Sequence, residues 1–394
     1  MSSLIITNGK ILVGKEYIDG NLEIMNGVIS RIGDFQVDRK KFKVIDANGQ
    51  VVVPGFIDIH THGGNGIDIN HASKEDLNEL SKFFASCGVT SFLPAILTDT
   101  HETMCKLLSE IADAKEEGTD GSEILGIHME GPFLCTQYKG AMPEYLIQDS
   151  SIENMKDYIK ASKNNIKYVT ISPENKGVVE LVAYLRENNI VASMGHTGAD
   201  YDKCLRCINA GLTSSTHVFN AMGTLHQHRP SAIGAALESD IYSEIICDGF
   251  HLHPGIVRLI IKVKGDEKVL AITDSIMAAG LSDGEYKLGV NDIVVKEGDA
   301  QLVSDGTRAG STLTMDRALR NLIKFTGRNL EDVIRFLTKN QANVLGLDNK
   351  GEIAIGKDGD IVILDDKLTP FCTVVKGKVV YERWYKYFIR YKLY

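Results

Sequence analysis

No apolar run in this chain approaches the ~18 residues that a membrane span requires, there is no basic stripe, and its single C-x-x-C has no second cysteine pair to accompany it. Each absence excludes a class of function. A membrane-spanning role is not expected. A net charge of −9 without a basic patch argues against nucleic-acid binding, and it also means that an anionic substrate must be met by a local positive site, because the overall field repels it. The first thirteen residues alternate in strand fashion around Asn8-Gly9 and lack a charged segment followed by a long apolar one, so no secretory signal is expected. The seven cysteines, an odd number, are then expected to be reduced thiols of a cytoplasmic protein. Cys204 and Cys207 fall in residues 202–210, which read as a helix, and nothing around them supports a zinc or redox role. Internal repeats and low-complexity segments are also missing.

What is present is an ordinary globular composition, 43% hydrophobic and 24% charged over 394 residues, long enough for one large barrel and a smaller satellite domain. Short strands punctuated by Gly9, Gly20, Gly27 and Gly49 fill residues 1–53, and the same style returns in 350–394. The two ends are expected to pair into one small β-sandwich domain. Between them, residues 54–349 alternate buried strand and helix. The strands fall at 55–59, 91–93, 124–129, 167–171, 191–194, 214–216, 244–247 and 269–273, and the helices include 73–86, 100–117, 177–188, 202–210 and 253–262. Eight such units predict an α/β fold of the (β/α)8, TIM-barrel type, with its active site at the C-terminal strand ends. Residues 285–303 read as a hairpin inserted after the eighth strand. The last eleven residues hold six aromatic side chains and the only tryptophan, which is read as a docked tail.

The chemistry lies at the strand ends. On a strand, residues i and i+2 share a face, so His60 and His62 project together into the barrel mouth, with Asp58 one layer deeper. Glu130 ends the third strand, where a carboxylate is too costly to leave unpaired, and its two oxygens can bridge two cations. His128 shares its parity and is read as a supporting residue. His196 and His217 end the fifth and sixth strands, which stand about 4.8 Å apart, so their imidazoles can share one metal. Asp274 closes the eighth strand, which neighbours the first in a closed barrel. Two histidines, a carboxylate, two histidines and an aspartate describe a divalent-metal site that activates water, with Asp274 placed to take a proton from that water and deliver it to a leaving group.

Several segments carry a family resemblance: PGFIDIHTHGGNG (54–66), HMEGPFL (128–134), GHTGA (195–199), THVFNAM (216–222), DGFH (248–251), TDS (273–275) and AGSTLTM (309–315). Together they resemble the amidohydrolase superfamily and, within it, the N-acetylglucosamine-6-phosphate deacetylases. The resemblance implies one metal on His60, His62, Glu130 and Asp274 and a second on Glu130, His196 and His217, with zinc, iron or manganese compatible and one or two ions per subunit. It implies backbone amides of Asn220 and Ala221 for a substrate phosphate, a substrate contact from His251, and a homodimer. The implied reaction converts N-acetyl-D-glucosamine 6-phosphate to D-glucosamine 6-phosphate and acetate, with the galactosamine analogue as the alternative substrate.

Two departures stand out. The family's phosphate-gripping arginine is one position late here, Arg229, with His228 in its aligned place. A polar residue that reaches the substrate is replaced by Met142, which offers no useful donor. A cyclic-amide hydrolase of the dihydroorotase type is the enzymatic rival, but the only lysine of the fourth strand, Lys167, is at its start, away from the mouth. A scaffold without activity predicts lost ligands, and all six are present.

Overall fold

The computed structural model describes residues 3–383, and the aromatic tail lies outside them. Eight parallel strands follow one another in sequence order: Phe56–Thr61, Val89–Leu97, Ile127–Glu130, Ile166–Ile171, Val191–Met194, Ser214–Ser215, Tyr242–Ile246 and Val269–Ile272. A two-residue segment, Glu123–Ile124, precedes the third and pairs separately with the second. Closure between first and last comes from their C-terminal ends. Thr61 bridges Ser275, the Asp274 amide donates to the His60 carbonyl at 2.9 Å, and the His62 amide donates to the Ser275 carbonyl at 2.7 Å. The barrel is therefore closed by the very residues that carry its candidate ligands.

The helices begin where their caps dictate. Ser73 and Asp76 form a reciprocal capping box at the head of Lys74–Ser86, Thr100 caps His101–Glu117, and Asp200 caps Tyr201–Ala210, each satisfying amides that the first turn leaves unpaired. Cys204 and Cys207 lie on the buried face of that last helix, where burial pushes their thiols up to about 12 and about 11. They are core packing residues.

Strands from both ends of the chain join in one eight-stranded sheet. The short strands expected on either side of Gly9 are a single strand, Ser3–Val13, with a register shift between Ile6 and Gly9. Asn8 there takes a left-handed conformation (φ 55°), so Asn8-Gly9 makes a bulge where sequence pattern reads a turn. One edge of this strand pairs with Lys43–Asp46 along one half and with Val51–Pro54 along the other, which forks the sheet and lets it close over its own core. Period-two alternation then joins the two bodies: Ile361 and Ile363 enter the small core, whereas Val362 and Leu364 pack into the barrel core. The insertion after the eighth strand is a three-stranded sheet, Gly284–Leu288, Asn291–Lys296 and Asp299–Leu302. The expected hairpin is corrected by a second reversal at Glu297-Gly298, where both residues are left-handed (φ 52° and 82°).

Lys350 locks the small sheet to the barrel. Its buried Nζ stands 2.8 Å from Glu123, 3.0 Å from Asp358 and 2.6 Å from Asp360. These three carboxylates have the spacing of a cation site, and the ammonium fills it. Lys350→Met leaves buried carboxylates uncompensated and is expected to cost about 3–5 kcal/mol, read as a lower denaturant midpoint at unchanged slope. An unaltered midpoint would remove Lys350 from this role.

Candidate metal centre

Three of the strand-end residues sit in strained backbone. His196 (φ 48°), His217 (φ 29°) and Asp274 (φ 49°) are all left-handed, a conformation that costs non-glycine residues of order 1–3 kcal/mol and persists only where surrounding structure enforces it. The turn it makes at each strand end swings the side chain over the barrel mouth. Gly63, just after His62, meets the same need: a Cβ there would lie 2.1 Å from the Ile67 carbonyl, so only glycine lets the chain fold back beside the pair of histidines.

The six side chains converge. His60 Nε2 lies 3.2 Å from His62 Nε2, 3.5 Å from Glu130 Oε1 and 3.6 Å from Asp274 Oδ1. His62 Nε2 is 3.2 Å from Glu130 Oε2 and 3.3 Å from Asp274 Oδ1. On the other side of Glu130, Oε1 stands 3.1 Å from His196 Nε2 and 3.0 Å from His217 Nε2. Two groups result, His60–His62–Asp274 and Glu130–His196–His217, each with ligating atoms within 4.8 Å of one another. The Glu130 carboxylate faces both.

Three of the four imidazoles are tied down at Nδ1: His60 to Glu244 Oε2 at 3.0 Å, His62 to the Ala95 carbonyl at 3.0 Å and His196 to the Tyr138 carbonyl at 2.9 Å. Holding the proton on Nδ1 turns the Nε2 lone pair toward the common centre, which is how metal-ligating histidines are oriented. A set of imidazoles and carboxylates so arranged suits a divalent transition metal. His128, directly below, makes no such contribution. Its Nδ1 meets the Ile59 carbonyl at 3.1 Å and its Nε2 the Thr170 hydroxyl at 2.9 Å, and burial, with His60 beside it, holds its pKa well below the ordinary range.

Electrostatically the centre is an acid–imidazole cluster. Burial opposes charge on His60, but Glu130, Glu244 and Asp274 overcome it and raise its pKa well above the usual value. His62, likewise buried, is lifted to about 9 by Asp274 and Glu130. Burial also opposes the carboxylate charges, yet His60 holds Glu130 well below its ordinary range and lowers Asp274. Negative charge thus accumulates here and calls for positive charge in return, from protons or from a cation.

Five of the six, His62, Glu130, His196, His217 and Asp274, floor a cavity of about 440 Å³, with His60 fully buried. Asn220, Ala221, His251 and Met142 line its walls, as do Lys139 and Arg308, which the sequence pattern does not single out. The amide of Asn220 is used by the His217 carbonyl at 2.9 Å, leaving that of Ala221 as the available donor of the pair. His251 Nδ1 is 2.6 Å from Asp248. Burial opposes its charge, but Asp248 raises its pKa and so favours the protonated ring on this wall. Met142 is buried against the cluster containing Leu97 and Leu288, making one wall apolar where the resemblance implies a polar contact. His228 and Arg229 are exposed and do not line this cavity. The pattern also misses Glu244, whose only signal is a carboxylate inside a strand that is otherwise apolar or small.

The Amidohydrolase family model matches residues 51–380. The N-acetylglucosamine-6-phosphate deacetylase of Bacillus subtilis (strain 168) is 37% identical over 96% of this chain and 97% of its own length, and the N-acetylgalactosamine-6-phosphate deacetylase of Escherichia coli O157:H7 is 32% identical over 89% and 92%. Among solved structures, N-acetyl-D-glucosamine-6-phosphate deacetylase from Mycobacterium smegmatis, in complex with N-acetyl-D-glucosamine-6-phosphate, superposes with a TM-score of 0.89 at 32% identity, covering 96% of this chain and 100% of that one. With barrel, strand-end ligands and near full-length similarity in agreement, the chain belongs to the amidohydrolase family, and within it to the N-acetylglucosamine-6-phosphate deacetylases.

Proposed function

We propose that this chain hydrolyses the acetamide of N-acetyl-D-glucosamine 6-phosphate, giving D-glucosamine 6-phosphate and acetate. Six converging side chains, five of them at the floor of a closed-barrel cavity, in a chain so similar to deacetylases, carry this reading. His60, His62 and Asp274 would hold one divalent metal and Glu130, His196 and His217 another, one or two ions per subunit, which would supply Lewis acidity to the amide carbonyl and acidity to the attacking water. Asp274, ionised at the cavity floor, accepts the proton of that water as its oxygen bonds to the acyl carbon. The same carboxyl returns the proton to the amine nitrogen as the C–N bond breaks, so the base of the first half becomes the acid of the second. His251 and the Ala221 amide meet the phosphate from within the cavity. His228 and Arg229 lie outside it, so a phosphate contact from them needs a second copy of the chain, in keeping with a homodimer. Seven unpaired thiols fit a cytoplasmic setting.

The test is acetate release by metal-loaded protein from N-acetylglucosamine and N-acetylgalactosamine, each with and without a 6-phosphate. The glucosamine 6-phosphate derivative is expected to have the highest kcat/KM, and loss of the phosphate is expected to lower it at least roughly tenfold, the effect of one charge-assisted contact. A faster galactosamine derivative would favour the second substrate, which the Escherichia coli relative also brings forward. Equal rates without phosphate would refute phosphate recognition.

A further inference from the structure

Glu244 lies in the seventh barrel strand, Tyr242–Ile246, with no exposed surface, and the chemistry above leaves it without a role. A carboxylate in that position is costly to bury unless its partners need it there. It has two. Oε2 accepts the Nδ1–H of His60 at 3.0 Å and the backbone amide of His217 at 3.1 Å. Those partners belong to different halves of the centre, His60 to the group with His62 and Asp274, His217 to the group with Glu130 and His196. The Nδ1 atoms of His62 and His196, in contrast, face neutral carbonyls. Glu244 is thus the only charged partner behind a ligand imidazole among the described residues, and the one side chain that grips both halves from beneath.

We infer that Glu244 is the positioning residue of the metal centre: it fixes His60 in the Nδ1–H tautomer with Nε2 aimed at the cation, and it ties that ring to the His217 turn so that both ligand groups keep one spacing. The inference rests on the metal reading of the site. A carboxylate behind an imidazole makes the ring a stronger donor, and removing such a partner lowers metal affinity roughly 10- to 100-fold in comparable sites. A merely structural carboxylate would change stability without changing how the metal is held.

The experiment compares the full chain with Glu244→Gln and Glu244→Asp, each stripped and reloaded with cobalt(II), reading cobalt affinity and the visible absorption spectrum. Glu244→Gln is expected to bind its first cobalt roughly 10- to 100-fold more weakly with a shifted spectrum, and Glu244→Asp to recover part of both. In a His60→Asn background the same change is expected to have little further effect on affinity, because the partner it acts through is gone. Wild-type affinity and spectrum in Glu244→Gln would overturn the inference. Should Glu244→Gln not fold, nitrogen NMR of the zinc-loaded wild type decides: a proton on His60 Nδ1 and metal on Nε2 supports it, and the reverse tautomer overturns it. A wild-type chain that takes up no cobalt overturns the metal centre itself, and this role with it, whereas uptake with an indifferent variant overturns the role alone.

Discussion

Asp274→Asn is expected to lower kcat for acetate release by about 100- to 10,000-fold, the contribution of a positioned acid–base group, while KM changes little and bound metal stays near its wild-type level. Asparagine keeps an oxygen where Asp274 Oδ1 faces His60 and His62 at 3.6 and 3.3 Å, so the ligand geometry can survive. What it cannot do is hold the proton between attack and departure of the amine. Metal analysis beside steady-state kinetics separates the two functions. A variant that keeps more than about a tenth of wild-type turnover would remove Asp274 from proton transfer.

Glu130→Gln is expected to abolish both metal binding and activity. Its carboxylate faces the ligating nitrogens of both ligand sets, with Oε1 near His196 and His217 and Oε2 near His62. An amide in its place has one acceptor instead of two and turns an N–H₂ toward imidazole nitrogens that are themselves held as acceptors. Metal content is expected to fall below roughly a tenth of an equivalent per chain and kcat by about 10⁴-fold or more. Retention of full metal by Glu130→Gln would show that the two groups do not share it.

Metal uptake is also expected to depend on pH in a definite direction. Without a cation, the imidazoles of His60 and His62 have their pKa values raised, that of His62 to about 9, so at neutral pH protons occupy the lone pairs that a metal would need. Loading must expel them. Apparent affinity is then expected to rise as pH increases toward about 9, by roughly tenfold per unit for each proton displaced, with release of protons measurable by calorimetry in buffers of different ionisation enthalpy. Affinity that is flat between pH 6 and 9 would contradict it.

The centre was legible in the sequence because barrel geometry places strand ends together, and period two tells which residues share a face. His60 and His62 are separated by one residue, Glu130, His196 and Asp274 each follow an apolar strand, and His217 follows the short Ser214–Ser215 strand, so the convergence of these side chains could be anticipated without coordinates. Helix starts were similarly plain, since Ser73 and Thr100 are strong caps. Less was visible where the backbone departs from period. The bulge at Asn8-Gly9 looks like a turn, and the second reversal at Glu297-Gly298 has no signal stronger than one glycine. Glu244 was hidden because it falls inside a strand, where a sequence reader looks for core residues and not for a charge. The wall of the cavity is written in loops. Asn220 gives up its amide to His217, His228 and Arg229 are exposed outside the cavity, and the left-handed turns at His217, Phe219 and Ala221 are not visible in the motif alone. The aromatic tail, 384–394, lies outside the described residues.

The most direct test of the central claim is a metal titration of chelator-stripped protein, following acetate release from N-acetyl-D-glucosamine 6-phosphate and bound metal in the same samples with zinc, manganese and iron(II). Stripped protein is expected to be inactive, and activity is expected to rise with bound metal and level off by two equivalents per chain. Undiminished turnover in protein that holds no divalent metal would contradict it.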